Sequence, residues 1–471
     1  MPKIISRAWA TLPLVSLAAL AIICAFGLLR AALTIPQAVP LDPNEGWNAY
    51  HALAAMAGHG LYPSAQSHMI NNYPPLSFYL VGVLGRMLGD MIVAGRLISF
   101  AALGAVMAGI AVAARSMGCT RMQAVFAALL FADILLLTSD YVGMDDPQLL
   151  GHAIAIAGFI LILRQPQKTG IVVGGAFLMT LAVFVKHNLI AMPLAAAIWL
   201  FLHDRRSALG FVLAGIGFGI AGLCAFRLTY DTELWTQILS GRAYSLSNLM
   251  AALQAWFSWA FLPMAIVAWL FRRHRGDRYV RLCVIYTLVA FAIGGIFSGG
   301  DGVDANAMFD TDIALVLCCA LALNRFEAPS KQAMVALLCV LSLGLPLWQD
   351  ASADALQAGY WLHPLRDETD LARNDIALLK AAKGPALCEM LSLCYWAGKT
   401  AEVDVYNVGE QFGLGARSDV PLIRKIENHG FAVMQFDSLT PFALSPGVRK
   451  AIDPHYRILR ANDDGIFLVP R

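Results

Sequence analysis

Apolar stretches recur along this chain from Trp9 to Trp348, many of them approaching the length of a bilayer crossing. Hydrocarbon offers backbone N–H and C=O groups no partner, so each stretch must close its hydrogen bonds internally, as a helix. The composition agrees: 58% of the 471 residues are apolar and 14% are charged, outside the range of soluble chains. The predicted fold class is an α-helical polytopic membrane protein of about 11 spans with a small C-terminal α/β domain. The spans are expected at 9–29, 92–114, 122–139, 147–163, 170–185, 188–202, 208–226, 255–271, 282–298, 311–324 and 333–348. A net charge of +2 gives no reason to expect nucleic acid as a partner.

The first stretch, Trp9 to Leu29, follows Lys3 and Arg7 and resembles a signal peptide at first sight. At 21 residues it is long for one, and Leu28-Leu-Arg-Ala-Ala-Leu33 is a poor cleavage site, so it is read as a retained span. With the N-terminus in the cytoplasm and the C-terminal domain left out of the count, fifteen basic residues fall in inner loops and six on the opposite side, which fits the positive-inside rule. Leu76 to Leu88 decides this count. It is apolar but only 13 residues long, and treating it as a juxtamembrane helix keeps Arg115 and Arg121 inside. The localisation expected is a bacterial inner membrane, crossed many times, with the C-terminal domain on the periplasmic or extracellular side.

That topology places two acidic clusters on one face. Asp42 and Glu45 follow the first span in Leu41-Asp-Pro-Asn-Glu-Gly-Trp47, and Asp145 and Asp146 precede the fourth in Gly143-Met-Asp-Asp-Pro-Gln148. Carboxylates beside hydrocarbon are costly, which suggests a purpose-built site. Asn44 is suited to cap a helix running from Glu45, with Pro43 fixing the approach, and Trp47, Tyr50 and His51 follow within it. Asp42 and Glu45 both look close to water. Asp146 before Pro147 is itself a competent cap, with Gln148 and His152 just inside the span. Lys186-His187-Asn188 interrupts an apolar run, where a lysine either snorkels to headgroups or holds a lipid phosphate. Ser298-Gly-Gly-Asp-Gly-Val-Asp-Ala-Asn306 is a glycine-rich outer loop whose Asp301, Asp304 and Asn306 have cation-ligating chemistry but no calcium-loop spacing. Asp133, alone in a span, should face the bundle interior.

Composition changes near Asp350: the last 120 residues hold 13 of the 34 Lys and Arg. The expected division is a transmembrane domain over 1–349 and a soluble α/β domain over 350–471. Helices are expected at Asp367–Ala382 and Val420–His429, and strands at Glu402–Tyr406, Ala432–Phe436 and Gly465–Val469. Its role reads as cover or partner docking. Cys388 and Cys394 are expected to form a disulfide, since the topology places them away from the reducing cytosol. Six other cysteines, Cys24, Cys224, Cys283, Cys318, Cys319 and Cys339, sit in spans and should serve as small packing groups.

The acidic first outer loop, Tyr73-Pro-Pro-Leu76 ahead of a juxtamembrane helix, Arg96 opening the next span, Asp146 opening the fourth and Phe184-Val-Lys-His-Asn-Leu189 together resemble the GT-C superfamily. They are most similar to bacterial glycosyltransferases of the dolichyl-phosphate-mannose mannosyltransferase and aminoarabinose transferase type. The resemblance covers roughly residues 1–350. It implies transfer of a sugar from a polyprenyl-phosphate-linked donor to an outer-face glycan, lipid or protein acceptor, with inversion and with membrane lipid as surroundings. It further implies a general base in Asp42 or Glu45, an acceptor-orienting or cation-holding role for Asp145 and Asp146, and phosphate stabilisation by Lys186 and Arg242. A divalent cation is compatible with this, though no metal ligand set stands out. The chain departs from the pattern in two places: Asn44-Glu45 stands where many members have Asp-Glu, and Tyr73 stands where many have a basic residue. The alternative reading is a transporter or flippase of a lipid-linked sugar, which would favour repeats and midplane sites that the sequence does not display.

Overall fold

The computed structural model describes residues 3–64, 66–138, 141–230, 233–326, 329–350 and 364–471. Every stretch expected to span is helical. Six helices are long and apolar enough to cross a membrane: Leu12–Thr34, Met91–Ser116, Arg205–Tyr230, Leu246–His274, Arg278–Phe297 and Ala305–Arg325. Others, such as Gln148–Arg164, Thr169–Val185 and Ala191–His203, are shorter apolar helices. Ser139, the expected end of the third span, lies outside the described residues. The expected domain boundary at 349/350 abuts residues 351–363, which also lie outside them.

Burial sorts the helices. Phe309–Arg325 is buried on every side, as an all-round apolar helix requires, and packs against Arg278–Phe297, Arg121–Thr138 and Leu246–His274. Arg205–Tyr230 is the opposite case, with Leu209, Leu213, Ile216 and Ile220 exposed on an apolar surface suited to lipid. Cys24, Cys283, Cys318, Cys319 and Cys339 pack as expected, but Cys224 sits on that outward face and is exposed. Asp133 is fully buried inside the bundle. Leu76–Leu88, at 13 residues, reaches about 20 Å at 1.5 Å per residue, short of the ~30 Å hydrocarbon thickness. It packs between Pro43–Ala57 and Met91–Ser116.

The C-terminal module has a four-stranded sheet of β1 Ala386–Cys388, β2 Val433–Phe436, β3 Tyr456–Asn462 and β4 Gly465–Pro470. Its spatial order is β1-β2-β4-β3, parallel only between β1 and β2. One expected strand is wrong. Residues 402–406 run into a helix, Val405–Gly413, whose start is capped by Asp404 accepting from Asn407 N at 3.1 Å. The alternating valines misled because Val405 and Val408 bury at helical spacing.

The module is bound to the loops at one end of the bundle. Tyr395 Oη accepts from Met91 N at 2.8 Å, Trp396 Nε1 donates to Asp90 at 3.0 Å, and Tyr50 Oη donates to Lys399 O at 2.8 Å. Cys388 and Cys394 form a disulfide with their Cα atoms 6.0 Å apart. Thiol labelling of protein purified without reductant should therefore leave this pair unmodified until it is reduced. Free labelling of both under denaturing, non-reducing conditions would refute the pairing.

Candidate active site

The first outer loop leads into the helix Pro43–Ala57, and its cap is Asp42 rather than the expected Asn44. Asp42 is extended, its Oδ1 accepts from Asn44 N at 2.7 Å, and Pro43 takes the first helical position. The helix thus starts two residues earlier than expected. Asp42 is half-buried and lines a cavity; among the described residues its second oxygen takes no hydrogen bond. Burial pushes its carboxyl up to about 6, opposed by the Asn44 N–H and reinforced by the charges of Glu45, Asp146 and Asp304.

Glu45 does not share that exposure. It is 0% exposed, and both its oxygens are committed. Oε1 accepts from Arg96 Nε at 2.7 Å and from Asp145 N at 3.1 Å; Oε2 accepts from Arg96 at 2.6 Å and from Leu41 N at 3.2 Å. Arg96, equally buried, spends its remaining donors on the carbonyls of Thr34, Gln37 and Val39. The expectation that Glu45 lies near water is therefore corrected. Of the two base candidates, the geometry leaves Asp42 facing the cavity and makes Glu45 a clamp.

The second acidic pair divides similarly. Asp146 binds Lys186 Nζ through both oxygens, at 2.9 and 3.0 Å, and its Oδ1 also accepts from Gln148 N at 2.7 Å. Lys186 is 3% exposed, lies 4.8 Å from the centroid of the Tyr73 ring and lines the cavity. It is a buried, paired cation rather than a snorkelling one. Asp145 turns inward over Gly95, where a Cβ would fall 1.8 Å from its Oδ1. Burial, with the charges of Glu45 and Asp146, holds its carboxyl well above the usual carboxylate range. Its backbone serves the site, donating to Glu45 and accepting from Asn48 Nδ2 at 2.7 Å.

The cavity measures about 470 Å³, in the range of small-molecule sites. It brings together Asp42, Tyr73, Lys186, His187, Asn188, Arg242 and Asn306 from the sequence-based set. Gln148 and His152 are not among its lining residues. Gln148 accepts from Asn188 Nδ2 at 3.4 Å behind the wall, and His152 lies deeper, 3.6 Å from Asp310. Arg242 is exposed, donates to Asp301 O at 2.9 Å and forms no ion pair among the described residues. Among the described residues no three His, Cys, Asp or Glu side chains gather as a metal site.

Several lining residues had no sequence signal. Glu389, Leu391, Asp404, Val405, Tyr406 and Asn407 reach the cavity from the C-terminal module, and Tyr141 from the loop before Asp145. The module was expected only to cover the site or dock a partner, and the misread strand at 402–406 hid three of these residues.

The Glu45–Arg96 clamp generates a stability prediction. Removing one member of a buried hydrogen-bonded pair strands the other, at about 3–5 kcal/mol. Glu45→Gln and Arg96→Met should each reduce the monodisperse yield in detergent and lower the melting temperature, whereas Asp42→Asn should not. Wild-type melting in both clamp variants would show that the pair is dispensable.

The fold has been seen before. The chain matches the crystal structure of ArnT from Cupriavidus metallidurans bound to undecaprenyl phosphate with a TM-score of 0.61 at 15% identity, covering 96% of this chain and 98% of that one. The apo state of the same protein matches with a TM-score of 0.63 at 14% identity, covering 96% and 97%. Neither a protein-family model nor a curated protein matches the sequence. At this identity the likeness is one of architecture: the chain shares the fold of ArnT.

Proposed function

We propose that this protein transfers a sugar from a polyprenyl-phosphate carrier to an acceptor hydroxyl at the outer face of a bacterial inner membrane, with Asp42 as general base. The observation that carries the reading is one cavity lined both by Asp42, a carboxylate with no ion pair among the described residues, and by the cations Lys186 and Arg242. The bound undecaprenyl phosphate of the ArnT structure agrees with a carrier of this class.

The chemistry follows from that separation of charge. Asp42 accepts the acceptor's O–H proton as the oxygen attacks the anomeric carbon. The new C–O bond forms as the bond from carbon to phosphate oxygen breaks, and the polyprenyl phosphate leaves with the electron pair. A single displacement inverts the anomeric centre. Negative charge grows on the departing phosphate, where Arg242 supplies a cation without a carboxylate partner. Lys186 contributes through the donor capacity that Asp146 leaves free. Asp146 and Lys186 are charge-balanced, so their role is to fix the cavity floor and present Tyr73 and Asn188.

The base role fixes a pH dependence. A base must be ionised, and Asp42 sits at about 6, above its ordinary value, so it is protonated below that pH. The kcat/KM for transfer should rise with pH through about 6 and level off above it. Asp42→Asn should lower turnover by about 10²-fold or more and abolish that limb. Full activity in Asp42→Asn would remove the first outer loop from the chemistry.

The phosphate site makes a second prediction. Arg242→Gln should raise KM for a synthetic polyprenyl-phosphate sugar by about tenfold and also lower kcat, because the interaction strengthens as the phosphate departs. Asp146→Asn and Lys186→Met should be non-additive, the double variant being about as slow as the worse single one. Product mass spectrometry on purified protein reads all of these. Translocation of donor by vesicles, with no new glycosidic bond from a broad donor and acceptor panel, would favour the transporter instead.

A further inference from the structure

The cavity has a wall that the transfer chemistry does not use. Between Cys388 and Cys394 the chain passes through Glu389 and Leu391, both facing the cavity, and the loop is seated directly on the helix that Asp42 caps. At Gly46 a Cβ would fall 2.1 Å from Ser392 N, so only glycine permits this approach. Trp47 Nε1 adds a bond to Asp404 at 3.0 Å. The seat is therefore rigid.

Glu389 is held there for a purpose beyond its own packing. Its backbone N donates to Gln435 O at 2.9 Å, and its Oε2 accepts from Asp437 N at 2.9 Å. Among the described residues its other oxygen takes no hydrogen bond, and Glu389 lines the same cavity as Asp42. Asn407, Tyr406, Trp47 and Tyr141 line that cavity too. A carboxyl oxygen left free to accept, neutral polar groups and aromatic side chains in one cavity suit a ligand with several hydroxyls around an apolar ring face. That ligand is a saccharide.

We propose that the acceptor presents a saccharide to this wall and that Glu389 binds it, accepting from a hydroxyl beside the one that attacks. This rests on the transferase reading above and narrows its acceptor from glycan, lipid or protein to a sugar-bearing one. Specificity then resides in the C-terminal module, and the chemistry in the outer loops of the bundle.

The test uses full-length protein in detergent and calorimetric titration with methyl glycosides of common hexoses and with N-acetylglucosamine oligomers. Glu389→Gln keeps an oxygen for the Asp437 N–H, so the loop should stay seated and the melting temperature unchanged. At least one saccharide should bind the wild type, and Glu389→Gln should bind it about tenfold or more weakly, the scale of a lost charge-assisted bond. Glu389→Asp should fall between them, and undecaprenyl phosphate should bind all three equally. In turnover the loss should appear as a raised acceptor KM with little change in kcat. Equal saccharide affinity in wild type and Glu389→Gln, a parallel loss of undecaprenyl phosphate binding, or no saccharide binding at all would each overturn the proposal. Glu389-dependent saccharide binding in a protein that forms no glycosidic bond would instead sustain this site and defeat the transferase reading.

Discussion

Arg96 enters the protein core with five N–H donors, and a buried guanidinium is tolerable only when all of them are met. Two go to Glu45 and three to the carbonyls of Thr34, Gln37 and Val39. Glu45 in turn takes the N–H groups of Leu41 and Asp145. One ion pair thus ties the end of the first helix, the first outer loop, the helix Pro43–Ala57 and the loop before the fourth expected span. The pair costs desolvation, and its return is geometric: Asp42 is left lining the cavity, and the Asp145 backbone is tied to the helix Pro43–Ala57.

The remaining charges are arranged by the same rule. Asp146 balances Lys186, and Asp145 is turned into a closed, uncharged seat over Gly95. Asp42 and Arg242 both face the cavity and take part in no ion pair among the described residues. On the proposed reading these act on opposite ends of one reaction, the attacking hydroxyl and the departing phosphate. Neutralised neighbours matter here, because each stray charge in a low-dielectric site would shift both groups.

Much of this was legible in the sequence, because hydrophobic periodicity and charge asymmetry are local signals. The helical stretches came from them, as did the expectation that the two acidic clusters share a face, and Glu45 does meet the Asp145 backbone. The division of labour among the carboxylates did not. Asp42 and Glu45 look alike within their own loop, and they differ only because Arg96 is 51 positions beyond Glu45 and points at it. The cap at Asp42 instead of Asn44 is a shift of two residues, finer than capping preferences resolve, since both types cap well. The module's share of the cavity was hidden for another reason: Val403 and Val405 alternate like a strand, although Asp404 caps a helix in which Val405 and Val408 are buried at helical spacing.

The bond between Trp47 and Asp404 spans 357 positions in the chain. The cavity's two walls are therefore made far apart in time, with hundreds of residues of bundle threaded into the membrane between them. Contacts of such separation form late, because the intervening chain must first be placed. A nascent chain that has reached the bundle's last helix has every charged group of the first wall and still lacks an enclosed cavity. Enclosure comes only when residues near 390–410 have been made and have settled on Gly46. The order of synthesis thus leaves the cavity open until the C-terminal module has formed.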